Sequence, residues 1–241
     1  MPNTILEHIK SCKLKGQKLL VILLDPDKIV IHNLSETISK IETNNVDYIL
    51  VGGSTVENGL TDIILKKIKK LTTIPIILFP GDFSQISNTA DALLFLSLIS
   101  GRNPEYLIGQ QVKSVNKLKE TSLEIIPTGY ILIDGGVKTS VQKVSNTTPI
   151  SQSNMEDITM TAMAGEMMGK QLIYLEAGSG ATKAVSQEII KKVSENISIP
   201  LIVGGGIRSK KQLENAYKNG ADMIVIGTAF EKNNNILTSI L

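Results

Sequence analysis

The 241-residue chain contains no tryptophan and one cysteine, Cys12. A single thiol excludes an internal disulfide framework and fits a reducing, cytoplasmic setting. Cys12 lies near Lys13 and Lys15 with no base beside it in the sequence, so it reads as structural or incidental. The two histidines, His8 and His32, lie outside the strand ends and are expected at the surface, which leaves a Ser-His-Asp triad or a zinc cluster without support. Aromatics are 4% of the chain, too few for base-stacking platforms. The formal net charge of +2 provides no strong field for nucleic acid or for a membrane surface. Lys66, Lys67, Lys69 and Lys70 read as the wet face of a helix. No apolar run is long enough to cross a bilayer and no signal peptide opens the chain, so stable membrane insertion is not expected.

Glycine is what the chain does have, and its placement is informative. Leu201 to Val203 is a short β-branched run after Pro200; Gly204, Gly205 and Gly206 follow, and Ser209 stands where it would cap a helix. Glycines between a strand and a helix let backbone N–H groups approach an oxyanion, and the helix start adds a positive dipole end. Alone, three glycines make a tight turn. Asp222 to Ile226, however, is a second apolar run ending in Gly227-Thr228-Ala229. Two consecutive strands that close on glycine match the phosphate site after the last two strands of a (β/α)8 barrel.

The rest of the chain fits that architecture. A short leading helix spans 5 to 14. Strands are expected at 18–24, 48–51, 75–79, 92–96, 130–133, 171–175, 201–203 and 222–226. Helical spacing recurs in Leu34, Ile38 and Ile41; in Ile63, Ile64, Ile68 and Leu71; in Leu107, Ile108, Val112, Val115 and Leu118; and in Val185, Ile189, Ile190 and Val193. The linker Pro80 to Asp91 is short, polar and without an apolar stripe, so an irregular connection is expected in place of the third helix. Residues 137 to 154 form the longest candidate loop, read as a lid or binding loop, and Met155 to Met168 a helix of small residues and methionines suited to core or subunit contact. The expected fold is an α/β single-domain (β/α)8 TIM barrel over 1–241, modified at its third helix; a doubly wound open sheet is the lesser alternative.

Active groups of such a barrel sit at the C-terminal ends of the strands. Those ends carry Asp25 and Asp27, Ser54, Asp134, Glu176, and the loops Gly178 to Gly180, Gly204 to Gly206 and Gly227-Thr228. Asp25 is a turn former or a ligand for Mg2+, which takes hard oxygens and leans on one or two protein groups plus substrate phosphates. Ser54 caps a helix or gives an oxygen to the same ion. A carboxylate at Glu176 would repel the phosphate next to it; binding a hydroxyl or accepting its proton gives it a purpose, and pairing with a nearby cation is the plainer account.

Five stretches carry a resemblance. They are Leu24-Asp25-Pro26-Asp27-Lys28, Val51-Gly52-Gly53-Ser54, Tyr174 to Gly180, Val203 to Arg208, and Ile226-Gly227-Thr228. Together they resemble the geranylgeranylglyceryl phosphate synthase family, which includes bacterial heptaprenylglyceryl phosphate synthases. The resemblance implies ether-bond formation between sn-glycerol 1-phosphate and a polyprenyl diphosphate, with release of diphosphate. It implies that Asp25 and Ser54 hold Mg2+. Tyr174, Leu175, Glu176, Ala177, Gly178, Ser179, Gly180, Gly205, Gly206, Gly227 and Thr228 would hold the glycerol phosphate, with Glu176 orienting or deprotonating its hydroxyl. The prenyl tail would run past the irregular segment after strand three. A homo-oligomer, dimer or hexamer, is implied as well. Heptaprenyl-using members carry a lysine two residues before the first-strand aspartate; here that position is Leu23, which points to the archaeal-type group and a geranylgeranyl donor. A heptaprenyl donor, another phosphate-binding barrel isomerase or lyase, and a non-catalytic phosphate binder are the alternatives.

Overall fold

A computed structural model of the chain describes residues 4–233 and 236–240. The strands are β1 (Leu19–Leu24), β2 (Tyr48–Val51), β3 (Ile76–Leu78), β4 (Ala92–Leu98), β5 (Glu124–Leu132), β6 (Leu172–Glu176), β7 (Leu201–Gly204) and β8 (Met223–Ile226). All pair in parallel in sequence order, and β8 pairs back on β1 to close the barrel. The helices are α1 (Ile5–Leu14), α2 (Leu34–Thr43), α3 (Leu60–Ile68), α4 (Gln110–Lys119), α5 (Ser140–Ser145), α6 (Met155–Met167), α7 (Gln187–Asn196), α8 (Lys210–Lys218), α9 (Thr228–Lys232) and α10 (Ile236–Ile240).

The strands are apolar along most of their length because both faces are covered. Successive residues point to opposite sides. In β1, Leu19 and Val21 enter the barrel interior with Tyr48, Leu50, Leu94 and Tyr174, whereas Leu20, Ile22 and Leu24 pack outward under the helices. α1 plugs the N-terminal end of the barrel through Ile9 and Cys12. Its entry is fixed by Glu124, whose carboxylate accepts the N–H groups of Ile5 at 2.7 Å and Leu6 at 3.0 Å.

The connection from β3 to β4 holds no packing helix, only a 3-10 turn at Phe83–Gln85, as the polar linker predicts. Asp82 accepts the Ser84 N–H, and the buried Gln85 side chain donates to the Gly53 carbonyl at 2.9 Å. The irregular segment is thereby tied to the loop after β2, and it leaves a gap in the helical layer.

Several expectations are corrected. β5 runs from Glu124, well before Tyr130. Pro127 and Gly129 weaken the strand signal but not the ladder, since the Pro127 carbonyl still accepts the Gln171 N–H. A π-helical turn at Glu105–Gly109 precedes α4 and shifts its phase. Ile108, Val112 and Val115 are therefore 59%, 64% and 41% exposed, while Gln111, Ser114 and Leu118 face inward. Ile63 and Leu71 are likewise exposed, and Leu65 takes their place in the core. The stretch 137–154 is more ordered than a loop, since it holds α5, capped by Thr139, and an Ile133–Ile150 bridge, and its Ser140 and Val141 line the cavity at the barrel mouth. His8 is half-buried, its Nδ1 bonded to the Tyr48 hydroxyl and its Nε2 3.5 Å from the buried Cys12 thiol. Cys12 thus does have a base beside it, one helical turn earlier. The small residues of α6 serve the core: a Cβ on Gly165 would lie 2.7 Å from Ile99 Cδ1.

The Glu124 clasp on α1 generates a test of the plug. Glu124→Ala leaves two helix N–H groups without their acceptor and should lower unfolding free energy by about 1–3 kcal/mol. Glu124→Gln, which keeps one acceptor, should recover part of that in urea denaturation. A wild-type midpoint for the alanine variant would show that α1 is held by its apolar face alone.

Candidate active site

At the C-terminal ends of the strands, one polar cavity of about 290 Å³ gathers most of the sequence-derived candidates. Its wall includes Asp25, Ser54, Glu176, Gly178, Ser179, Gly180, Gly205, Gly206, Gly227 and Thr228. Tyr174, Leu175 and Ala177 do not line it. Leu175 and Ala177 follow the two-residue period of β6 onto the outer core, and the Tyr174 ring points inward one layer deeper. Asp134 is exposed and caps its own turn, accepting the Gly136 N–H, so it is outside the site.

Glu176 ends β6 with 7% of its surface exposed, and among the described residues it forms no ion pair. The plainer account, a carboxylate neutralised by a lysine or arginine, is therefore removed. One oxygen accepts the Gly178 N–H at 2.6 Å. Burial pushes the carboxyl pKa up to about 6, against the opposing pull of the Gly178 amide and the Tyr174 hydroxyl. The Tyr174 hydroxyl lies over Gly204 beside Glu176 Oε2 and has no well-formed hydrogen bond among the described residues. Gly205 adopts φ +81°, and a Cβ there would lie 2.5 Å from Glu176 Oε1 and 2.7 Å from the Gly178 nitrogen. The glycine requirement is thus as much about the carboxylate as about a ligand. Across the mouth, the Ser179 and Thr228 hydroxyls are 2.8 Å apart.

On the opposite wall, Asp25 follows β1 and caps the 3-10 turn Pro26–Lys28. Its carboxylate rests against Gly53, so close that a Cβ there would be 2.9 Å from Oδ1, and this places it at the Ser54 loop. Lys28 Nζ lies 2.9 Å from Asp25 Oδ2 and 3.2 Å from Glu231 Oε2, and Glu231 Oε1 accepts the Asp25 N–H at 3.3 Å. Partial burial opposes the Lys28 charge, but the two carboxylates outweigh it and raise its pKa. No group of three or more His, Cys, Asp or Glu among the described residues is arranged to hold a metal ion by itself. A hard cation here would rest on Asp25 and Ser54 and complete its shell with water and substrate oxygens, the habit of Mg2+.

Sequence reasoning missed four contributors. Lys28 and Glu231 carry no strand-end signal beyond the Asp-Pro-Asp-Lys stretch. Arg208 donates to the carbonyls of Gly180 and Ala181, locking the β6 loop to the β7 loop. Tyr130 reads as an ordinary apolar strand residue but stacks with Phe79 and Tyr174, with centroids 5.9 and 5.3 Å away. Phe79 and Tyr130 stand where the polar cavity meets a second, apolar one of about 100 Å³. The second cavity runs past Pro80, Phe83, Ile86, Leu96 and Tyr106, through the gap left by the absent helix.

Comparison with known proteins agrees with this layout. The PcrB family model matches residues 12–241. The chain belongs to the PcrB family. Two relatives named geranylgeranylglyceryl phosphate synthase are those of Flavobacterium johnsoniae and Zunongwangia profunda. The first is 52% identical over 98% of each chain, the second 53% identical over 96% of this chain and 98% of the relative. The solved (S)-3-O-geranylgeranylglyceryl phosphate synthase of Thermoplasma acidophilum, in complex with sn-glycerol-1-phosphate, superposes with TM-score 0.92 at 33% identity, covering 99% of this chain and 96% of that one.

In this PcrB-family barrel the buried Glu176 has a cost that depends on pH. Its folded pKa is raised, so the penalty is absent below the ordinary carboxyl range near 4.5 and grows as pH rises through about 6. Glu176→Gln keeps an acceptor for the Gly178 N–H without the charge. It should be more stable than wild type by on the order of 2 kcal/mol at pH 8 and by less at pH 5. An equal difference at both pH values would place the ionised carboxylate in water.

Proposed function

We propose that this PcrB-family protein joins sn-glycerol 1-phosphate to geranylgeranyl diphosphate through an ether bond and releases diphosphate, with Mg2+ as cofactor. The observation that carries the reading is the meeting of two unlike cavities at Ser54, Phe79 and Tyr130. One is polar, with a buried carboxylate and amide-rich loops; the other is apolar and opens through the missing helix. A phosphorylated acceptor suits the first and an isoprenoid tail the second. The relative in complex with sn-glycerol-1-phosphate supports the acceptor, and the names of the relatives support the donor.

In this reading the backbone of Gly178 to Gly180, Gly205, Gly206, Gly227 and Thr228 receives the acceptor phosphate. Glu176 orients the glycerol hydroxyls and accepts the proton of the attacking one. The acceptor oxygen bonds to the first carbon of the prenyl chain while that carbon's bond to the diphosphate oxygen breaks, and the electron pair leaves with the diphosphate. Asp25 and Ser54 hold Mg2+, which neutralises the leaving group when bound. The aromatic seam of Phe79 and Tyr130, backed from below by Tyr174, keeps water from the reacting carbon. Leu23 supports the geranylgeranyl donor: it lines the polar cavity as an apolar side chain beside Gly227. The lysine of heptaprenyl-using members has no counterpart there.

The decisive assay is diphosphate release from geranylgeranyl diphosphate and sn-glycerol 1-phosphate with Mg2+, with EDTA as control. Asp25→Asn should abolish Mg2+-dependent turnover with acceptor affinity largely kept. Glu176→Gln should lower kcat by about 100- to 10,000-fold with a modest change in acceptor KM. A glutamine variant that retains most of its kcat would limit Glu176 to binding.

A further inference from the structure

Two cations line the polar cavity among the described residues, and only one is committed to structure. Arg208 is held by two carbonyls of the β6 loop. Lys28 instead sits on Asp25, the carboxylate assigned above to Mg2+. An ammonium 2.9 Å from Asp25 Oδ2 and a divalent cation on that same carboxylate repel each other and compete for it. A cation on Asp25 therefore favours release of the ammonium. Lys28 is able to leave: its side chain is 48% exposed and its four-carbon stem is flexible.

The surrounding charges indicate where it goes. Asp25, Asp27 and Glu231 all line this wall against a single ammonium, so the wall is net negative. A diphosphate approaches only after a divalent cation has reversed that sign, and it then carries the strongest negative charge within reach of Lys28. Glu231 stays behind as the tether, since its other oxygen holds the Asp25 backbone N–H. We propose that Lys28 is a diphosphate-binding residue that acts by exchange: it neutralises Asp25 and Glu231 in the free protein and moves onto the donor's diphosphate when Mg2+ occupies Asp25. There it stabilises the charge that develops as the carbon–oxygen bond breaks. This inference rests on the reading of Asp25 as the metal ligand.

Exchange makes a prediction of opposite signs that a fixed ion pair does not. Mn2+ binding to the full chain, followed by electron paramagnetic resonance, reports the metal alone; calorimetric titration with inorganic diphosphate in saturating Mg2+ reports the second half. Lys28→Met removes the metal's competitor and should bind Mn2+ about two- to fivefold more tightly. The same variant should bind diphosphate about 10- to 100-fold more weakly. Lys28→Arg should restore most of the diphosphate affinity, and sn-glycerol 1-phosphate should bind all three forms within about twofold, the scatter expected of rim changes. Unchanged Mn2+ and diphosphate affinities in Lys28→Met would overturn the proposal and leave a static tie between loops. Loss of glycerol phosphate binding as well would overturn it in favour of a general loop collapse. A wild-type protein that binds no diphosphate even in Mg2+ would overturn the Asp25 reading, and this inference with it.

Discussion

The ladder between β8 and β1 is the contact on which the site depends. Leu19 to Ile22 pair with Met223 to Ile226, so the first and last strands of the chain end side by side. That closure sets Asp25 next to α9, lets Glu231 hold the Asp25 amide, and brings the Gly227-Thr228 loop against Leu23. In an open sheet those groups would lie at opposite edges. Because every strand is parallel, closure also points all the C-terminal ends to one face, and charged groups collect there while α1 seals the other end.

The second constraint is desolvation. Glu176 is held under glycines with no cation among the described residues to neutralise it, a placement that the surrounding barrel core has to stabilise. The arrangement follows from β6 ending against β7: Glu176 pairs with Gly204, and only glycines at 204 and 205 leave the carboxylate and the Tyr174 hydroxyl room to lie over that strand. The same crowding confines the polar chemistry to one half of the barrel mouth. The irregular β3–β4 connection opens the other half to apolar contact, and Gln85 keeps that opening in register with the Ser54 loop.

Much of this was legible in the linear chain. Strand positions follow from β-branched runs, and the absent third helix from a linker without an apolar stripe. Asp25, Ser54, Glu176 and the glycine loops follow from their places at strand ends. The errors have a common origin in side-chain direction. Helical spacing in Leu107, Ile108, Val112, Val115 and Leu118 marked the helix, but with a π-helical turn at Glu105–Gly109 most of that face is turned outward. Tyr174, Leu175 and Ala177 belong to the right stretch, yet the pleat of β6 points two of them out of the barrel and sets the third below the cavity floor.

By itself, then, the sequence determined the order and kind of the elements, the place of the missing helix and the set of strand-end residues, because periodicity and glycine placement act over a few neighbouring residues. Only the tertiary structure decided which partners meet. Lys28 reaches Glu231 across 203 positions of chain, and Ser179 reaches Thr228 across 49. It also decided that Glu176 is buried without a counter-ion among the described residues and that an apolar cavity adjoins the polar one at Tyr130. Those properties are sums over segments far apart in the chain, and closure of the barrel is what brings the segments within hydrogen-bonding distance.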